Sequence, residues 1–496
     1  MPPPDPGGPG DDLAWLPWGP DAFRRARTGR RPVLLSLTTH WSAASRDMHA
    51  RVFADARIAG LIADRFVPVH VDADRRPDLA ERYRLRGFPT TAFLTPDGAI
   101  LTAGGHIDVD RLTPLLREVA DQYARRADEL AGAHTVPPPV RTAIAGATPD
   151  FDAAEWASEV VLGELDRDRG GFGRSPKFPL TWPVEFALAH ADGNAALAAA
   201  ADLTLTAIGW TALWDPDEGG FHRLCRGEDW SDPERVKLLE TQADLIRLLL
   251  IGSVVGDRPD FRDRAADAIA YADRRLADQD RGGFFASESV DPATGGWDRD
   301  PTLLVDANAR MVRAYLAAGE VLDRPACARF AIRTLERLLP VVYRRAAGVA
   351  HYVDDERGRM WGLLGDQVLV AAALVDAHEA TADPAYRDLA DELMRSCLRR
   401  LWGQDDLGLV DRVATPAGAG DVGLLSQPLH PLDLNCLAVQ TLLRLFGLTE
   451  DRELVTWAER ILKAHAGSYR ATGTDGTAYA LAVDAFGAAS RSGHAP

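Results

Sequence analysis

The chain has 496 residues, 46% of them apolar and 26% charged. That is ordinary globular composition and excludes collagen-like, mucin-like and wholly disordered readings. Acids number 73 against 56 bases, for a net charge of −17 and a pI near 5.2. This balance argues against a nucleic-acid partner, which needs a basic stripe to displace counterions from phosphates, and against an anionic membrane surface.

Three of the bases are lysines, Lys177, Lys237 and Lys463. The rest are arginines, so an arginine here is weak evidence for guanidinium chemistry. The cysteines Cys225, Cys327, Cys397 and Cys436 stand far apart with no Cys-x-x-Cys. They read as single buried thiols in a reducing compartment, not as a disulfide framework or a zinc site. Residues 1–12 are rich in Pro and Gly, lack an apolar core and read as a disordered start, not a signal peptide. No apolar run reaches the roughly 20 residues that a bilayer span needs. The expectation is a soluble, cytoplasmic protein with no membrane contact and no cofactor.

Residues 13–130 alternate between strand and helix. Pro32–Leu37 is an apolar run that reads as a buried strand, and Ser42–Asp64 has helical spacing through Met48, Val52, Phe53, Ile58 and Ile62. Phe66–Val71 is a second strand and Pro77–Leu85 a short helix. Thr91–Leu94 and Ala99–Leu101 flank a Pro-Asp-Gly turn and predict a hairpin. A long amphipathic helix from Val109 to Leu130 closes an α/β unit in which a cis-proline turn fits at Pro89. Residues 131–149 contain a triple proline and read as a linker.

From 150 to 496 the chain turns to long Ala/Leu/Arg/Asp helices. Asp166-Arg-Asp-Arg-Gly-Gly-Phe172 recurs as Asp215-Pro-Asp-Glu-Gly-Gly-Phe221 and Asp278-Gln-Asp-Arg-Gly-Gly-Phe284, with looser copies at Ala347–Ala350 and Asp405–Leu409. The spacing, roughly 50 to 65 residues, fits a helical hairpin as the repeating unit, and the length allows about six. An open array needs polar capping repeats. The last segment, Glu453–Ala466, is as amphipathic as the middle ones, so closure into an (α/α)6 toroid is expected.

Pro32–Ser42, Phe66–Asp72 and Arg76–Asp78 resemble the divergent thioredoxin domain of the YyaL/spermatogenesis-associated family. Gly170–Pro179, Gly219–Arg223 and Asp376–Thr381 resemble blocks of that family's second half. The resemblance implies an α/β thioredoxin-like domain followed by an all-α (α/α)6 toroid of the six-hairpin glycosidase and sugar-epimerase kind. It also exposes departures. The family usually carries Cys-His-Trp-Cys-His, and this chain reads Thr39-His40-Trp41-Ser42-Ala43, with no cysteine before Cys225. The block Pro-His-Phe-Glu-Lys-Met-Leu-Tyr-Asp-Asn becomes Pro233–Gln242 with only Lys237 retained among its polar groups, and the paired acids of a Leu-Asp-Asp-Tyr block keep only Asp366.

A hydroxyl cannot form a disulfide, so the first domain is expected to be redox-inactive. Ser42 or Ser45 then reads as a helix cap, or His40, Trp41 and Pro89 as a groove for a protein partner. In the second half the candidates for a funnel are His222, Glu240, Asp306, His351, Asp366 and His430. Of these, His222, Asp366 and His430 are taken as catalytic, since paired carboxylates or histidines serve glycoside cleavage or proton transfer beside a carbonyl. Arg223, Asn308, His351, Trp214 and Lys177 are taken as substrate-binding, although Lys177, in a rigid double-proline turn, reads first as a surface or loop-anchoring group. The Asp-x-Asp-x-Gly-Gly loops lack the later ligands of calcium loops, so no metal is expected. The function read is binding or processing of a carbohydrate-like small molecule, by epimerase/isomerase or glycoside hydrolase chemistry. The alternative is a non-enzymatic binding or scaffold protein with both ancestral sites eroded.

Overall fold

The structure, a computed structural model, describes residues 13–130, 148–291, 294–415 and 421–492. The expected disordered start and nearly all of the expected linker lie outside these residues. The chain forms two compact units. The first is built from described residues of 1–140 with 289–297 and 414–428, and the second from those of 141–288, 298–413 and 429–496.

In the first unit the elements are β1 (Leu16–Pro17), α1 (Pro20–Gly29), β2 (Val33–Thr38), α2 (Ala43–Asp47), α3 (Ala56–Arg65), β3 (Val67–Asp72), α4 (Pro77–Tyr83), β4 (Thr90–Leu94), β5 (Ile100–Gly104) and α5 (Val109–Leu130). The sheet order is β1-β3-β2-β4-β5. Strand β2 runs parallel to β3 and antiparallel to β4. Every residue of β2 and β4 is buried, as expected of central strands covered on both faces. Leu35 and Leu37 of β2 pack with Phe23, Val69 and Leu79 on one face, while Leu34 packs with Phe53, Ile62 and Leu112 on the other. The helix expected from Ser42 to Asp64 is broken. A π-helical turn (Met48–Phe53) follows α2, and the Asp55 side chain starts α3 afresh by accepting the Arg57 N–H at 2.9 Å. The later segments are tied in by hydrogen bonds: Arg82 donates to Leu424 O at 2.8 Å, and Arg46 donates to Ser289 Oγ at 3.2 Å.

The second unit holds α6 (Ala153–Glu164), α7 (Trp182–Ala189), α8 (Ala195–Trp210), β6 (Val236–Leu238), α9 (Leu239–Val255), α10 (Pro259–Arg275), β7 (Ser287–Val290), β8 (Trp297–Asp300), β9 (Leu303–Leu304), α11 (Val305–Val321), α12 (Pro325–Val342), β10 (Tyr343–Arg344), β11 (Gly348–Asp354), β12 (Arg357–Trp361), α13 (Leu364–Thr381), α14 (Pro384–Arg400), α15 (Leu432–Thr449), α16 (Arg452–His465) and α17 (Thr477–Ser492). The tip of the β7–β8 hairpin belongs to the first unit. Helices α7, α9, α11, α13, α15 and α17 each pack on the next, and α17 packs back on α7, so the ring is closed. The alternate helices lie outside it. Sequence explains the division. Inner α13 buries Val368 to Val375 without interruption, whereas outer α14 and α16 bury one apolar face and expose a charged one. Pro259, Pro325 and Pro384 open α10, α12 and α14 at the one turn where a missing N–H costs nothing. No helix among the described residues is long and apolar enough to cross a membrane.

The sequence repeat corresponds to two recurring devices. In the first, a cation staples each Asp-x-x-x-Gly loop. Lys177 Nζ donates to Asp166 Oδ2 at 2.6 Å and Gly170 O at 2.8 Å, and Lys237 Nζ donates to Asp215 Oδ2 at 2.8 Å and Gly219 O at 2.6 Å. Arg337 does the same for Asp278, at 2.9 Å, and Gly282. The following glycine needs a left-handed φ, +81° at Gly220, where a Cβ would stand 2.6 Å from the Tyr271 ring. In the second device, an amide in the first turn of an inner helix holds both backbone groups of the residue that ends a loop. Gln242 clamps Phe221, Asn308 clamps Phe284, Gln367 clamps Val349 and Asn435 clamps Leu409.

Candidate active site

Inner helices α9, α11, α13 and α15 each carry an acid in the first turn: Glu240, Asp306, Asp366 and Asp433 in that order. A helix N-terminus favours a carboxylate. His351 reaches this end from β11, whose residues Val353 and Tyr352 pair with Leu303 and Leu304 just ahead of α11. Its Nδ1 lies 2.9 Å from Asp366 Oδ1 and 4.0 Å from Asp306 Oδ1. His351 and Asp366 are buried, at 3% and 1% exposure, while the Asp306 side chain keeps 29%. Burial pushes the Asp366 carboxyl up to about 6 against the opposing pull of His351. Its second oxygen, Oδ2, is buried with no hydrogen-bond partner.

Glu240 is exposed to solvent yet crowded by protein, as a group lining a concave mouth would be. Desolvation raises its pKa. The Arg310 guanidinium opposes that rise, and Asp306 and Asp244 reinforce it. Arg310 itself is held by Asp244 at 3.0 and 3.2 Å. This pair belongs to a chain of ion pairs linking five inner helices: Glu185 with Arg247, Asp244 with Arg310, then Arg313 and Arg444 with Asp376 at 2.7 and 2.6 Å. The interior of the ring is therefore charged and compensated, not filled by Leu and Phe alone.

The other residues read from the sequence go elsewhere. Asn308, expected to bind a sugar hydroxyl, is fully buried. Both of its amide hydrogens go to Phe284 O and Leu304 O, at 2.9 and 2.7 Å, and its Oδ1 takes the Phe284 N–H at 2.8 Å. It is a backbone clamp, because a buried N–H and C=O must be satisfied and nothing else reaches them. Lys177, taken as substrate-binding, is a loop staple with 0% exposure, lying 5.4 Å from the Trp230 ring centroid. Asp366 does not cap α13; it faces His351. His430, taken as catalytic, bonds Asp405 at 3.0 Å, and its ring fills the space beside Gly403 where the other loops carry the stapled aspartate. His222 sits in the second loop, 3.9 Å from Asp215. Burial, assisted by Lys237, lowers its pKa to about 4, so the imidazole is neutral. Trp214 packs edge-on to Phe221, with ring centroids 5.0 Å apart, under Arg264. Arg223 pairs with Glu234 at 3.1 Å.

In the first unit Thr39 is buried, and His40 O accepts from Arg46 at 2.6 Å. Trp41 donates to Asp74 at 3.4 Å and meets Phe88 edge-on. Ser42 caps α2, accepting the Ser45 N–H at 3.2 Å and donating to Phe88 O at 3.1 Å. The Phe88–Pro89 peptide is cis. The two cavities described in the second unit, about 370 and 530 Å³, are lined by none of the candidate catalytic or substrate-binding residues read from the sequence.

Sequence reasoning missed the amide clamps and the Asp244–Arg310 pair. The clamps did leave a signal, since Gln242, Asn308, Gln367 and Asn435 each stand three residues into an inner helix.

Residues 10–136 match the family Thioredox_DsbH, described as "Protein of unknown function, DUF255". Spermatogenesis-associated protein 20 of Rattus norvegicus is 26% identical over 319 residues, which are 56% of this chain and 38% of that protein. The resemblance read from the sequence holds. The chain spans about two fifths of the length of the curated relatives it matches. Among solved structures, D-mannose isomerase is 13% identical with a TM-score of 0.55, covering 69% of this chain and 97% of that one. Cellobiose 2-epimerase from Spirochaeta thermophila DSM 6192 is 15% identical with a TM-score of 0.51, covering 68% and 96%. At such identities the likeness is one of fold, and the fold is the six-hairpin one of sugar epimerases and glycosidases.

Proposed function

We propose that the helical unit binds a carbohydrate-like small molecule at the acid-lined end of its ring and moves a proton on the carbon beside its carbonyl, as an epimerase or isomerase does. The observation that carries this reading is the convergence of Glu240, Arg310, Asp306, His351 and Asp366 at the N-terminal ends of neighbouring inner helices. Glu240 is the solvent-facing carboxyl of the set, and desolvation raises its pKa, which strengthens it as a proton acceptor. In the step proposed, the Glu240 carboxylate accepts the C2 proton of the open-chain sugar, leaving an enediolate whose charge Arg310 offsets. Glu240 returns the proton to C1, with the O2 proton passing to O1, for isomerisation; for epimerisation water delivers a proton to the opposite face of C2 and Glu240 gives its own up to solvent. Arg310 and the Asp306–His351–Asp366 corner hold the sugar oxygens. His222 and His430 stay with their loops and take no part.

The first unit is proposed to be redox-inactive. It contains no cysteine, since the four in the chain begin at Cys225 and are all buried in the second unit. A second reading, a non-enzymatic binding protein, is favoured by the way Lys177, Asn308 and His430 spend their hydrogen bonds inside the fold.

The test is exchange of the C2 hydrogen in D2O, followed by proton NMR, with aldoses, ketoses and cellobiose as probes. Wild-type protein should exchange at least one of them, and Glu240→Gln should abolish the exchange while leaving thermal unfolding unchanged. If no probe exchanges, or if Glu240→Gln exchanges at the wild-type rate, the proton-transfer reading falls.

A further inference from the structure

Three donors meet at the corner described above without a repeat or spacing motif to announce them. They are His351 Nδ1 and one carboxylate oxygen from each of Asp306 and Asp366, all within 4.8 Å of one another. Asp306 and His351 are separated by 45 residues in the chain, so no short motif could reveal the set. We infer that Asp306, His351 and Asp366 form a binding site for one divalent first-row metal cation.

The geometry is close to what such an ion needs. Zinc and its neighbours sit about 2.0–2.2 Å from imidazole nitrogen and carboxylate oxygen, which places adjacent donors roughly 3.0–3.5 Å apart. The His351–Asp366 separation of 2.9 Å already approaches that spacing, and the 4.0 Å from His351 to Asp306 closes with a small rotation. Asp306 has room to make it, because its side chain keeps 29% exposure.

A second observation, beyond the spacing of the donors, points to a ligand. Asp366 Oδ2 is buried without a hydrogen-bond partner, in a side chain only 1% exposed. Such an atom is costly unless a cation completes its surroundings. Arg310 is the cation at this end that acts on both Glu240 and Asp306, but its guanidinium is already engaged by Asp244 at 3.0 and 3.2 Å.

The corner is also pre-formed. Gln367, next to Asp366, clamps both backbone groups of Val349, two residues before His351. Asn308, two residues after Asp306, clamps Phe284, and the pairing of Leu304 with Tyr352 sets α11 against β11. Fixed outer contacts of this kind orient metal ligands. One imidazole with two carboxylates suits manganese, iron or zinc better than calcium or magnesium, which prefer all-oxygen shells. Three protein donors leave positions open for two oxygens of a hydroxyl-rich ligand. In that last respect the inference builds on the function proposed above, but metal binding itself does not need it.

The test uses the full chain, stripped with a chelator and titrated with Mn2+ by electron paramagnetic resonance and with Zn2+ by calorimetry. One equivalent should bind, and Asp366→Asn and His351→Gln should each weaken binding about tenfold or more. Asp306→Asn changes a partly exposed side chain, so it should weaken binding in a protein that still melts like wild type, and it decides the matter if the buried variants fail to fold. Less than half an equivalent bound would overturn the inference, as would stoichiometric binding that all three variants leave intact. Tight metal binding without C2 exchange would remove only the sugar chemistry. Exchange that persists in the stripped protein, with no metal bound on titration, would remove only the metal.

Discussion

Replacing Asn308 by Leu separates two roles that its sequence position allows, a contact to a sugar hydroxyl and a clamp on the backbone. Asn308 and Phe284 are both fully buried, and the amide makes three hydrogen bonds at 2.7–2.9 Å, two of them to Phe284. Leucine keeps the same number of side-chain heavy atoms in the same branched arrangement, so no cavity opens, but the Phe284 N–H and C=O lose their partner. Each stranded group costs about 1–3 kcal/mol, which gives roughly 4 kcal/mol for the pair. An unfolding entropy of about 2.1 cal/mol/K per residue over some 340 residues turns that into a fall in Tm of about 6 °C. Asn308→Asp should be at least as damaging, because it sets a carboxylate against two carbonyl oxygens. Thermal and urea unfolding, followed by tryptophan fluorescence, measure both. If Asn308→Leu melts like wild type while losing affinity for a sugar, the clamp argument is wrong and the side chain faces a ligand.

Lys237→Met should destabilise the second unit by about 3–5 kcal/mol, because it strands the buried Asp215 carboxylate and Gly219 O; a urea midpoint within error of wild type would contradict the staple. The first unit should lose stability in acid. Burial, and then the neighbouring His70, depress the His49 pKa from 6.5 to about 3, while Ser36 Oγ lies 3.0 Å from its Nε2. The folded unit therefore stays unprotonated at His49 where the unfolded chain takes up a proton. The stability this contributes is complete above about pH 6.5 and falls by up to about 1.4 kcal/mol per pH unit down to about pH 3. Urea titrations between pH 7 and 4 should show that slope, and His49→Asn should flatten it; equal slopes in the two proteins would count against the assignment.

Much of the architecture was legible because it is local. The apolar run Val33–Leu37, interrupted only by Ser36, announces a central strand, and the all-round apolar stretch Val368–Val375 announces a helix buried on every side. The Gly-Gly-Phe repeat announces equivalent hairpins, since each loop needs the same left-handed turn. The absence of cysteine before Cys225 is likewise a sequence fact with chemical consequences. The break at Asp55 was not legible, because the apolar spacing runs straight through it and only the capping hydrogen bond marks the new start.

The site was legible in part. Asp366, His351, Asp306 and Glu240 were singled out by residue type, but their grouping was not, because His351 comes from a strand and the acids from different helices. Asn308, Lys177 and His430 looked like ligand groups for the same reason: a polar side chain in a loop or first turn has the same appearance in sequence whether it faces a cavity or a buried carbonyl. Chain order and side-chain period determine which segments are strands or helices and which faces are apolar. Only closure of the ring and the register of β11 beside β9 decide which polar atoms meet, because a hydrogen bond or a ligand sphere depends on separations of a few ångströms between residues far apart in the chain.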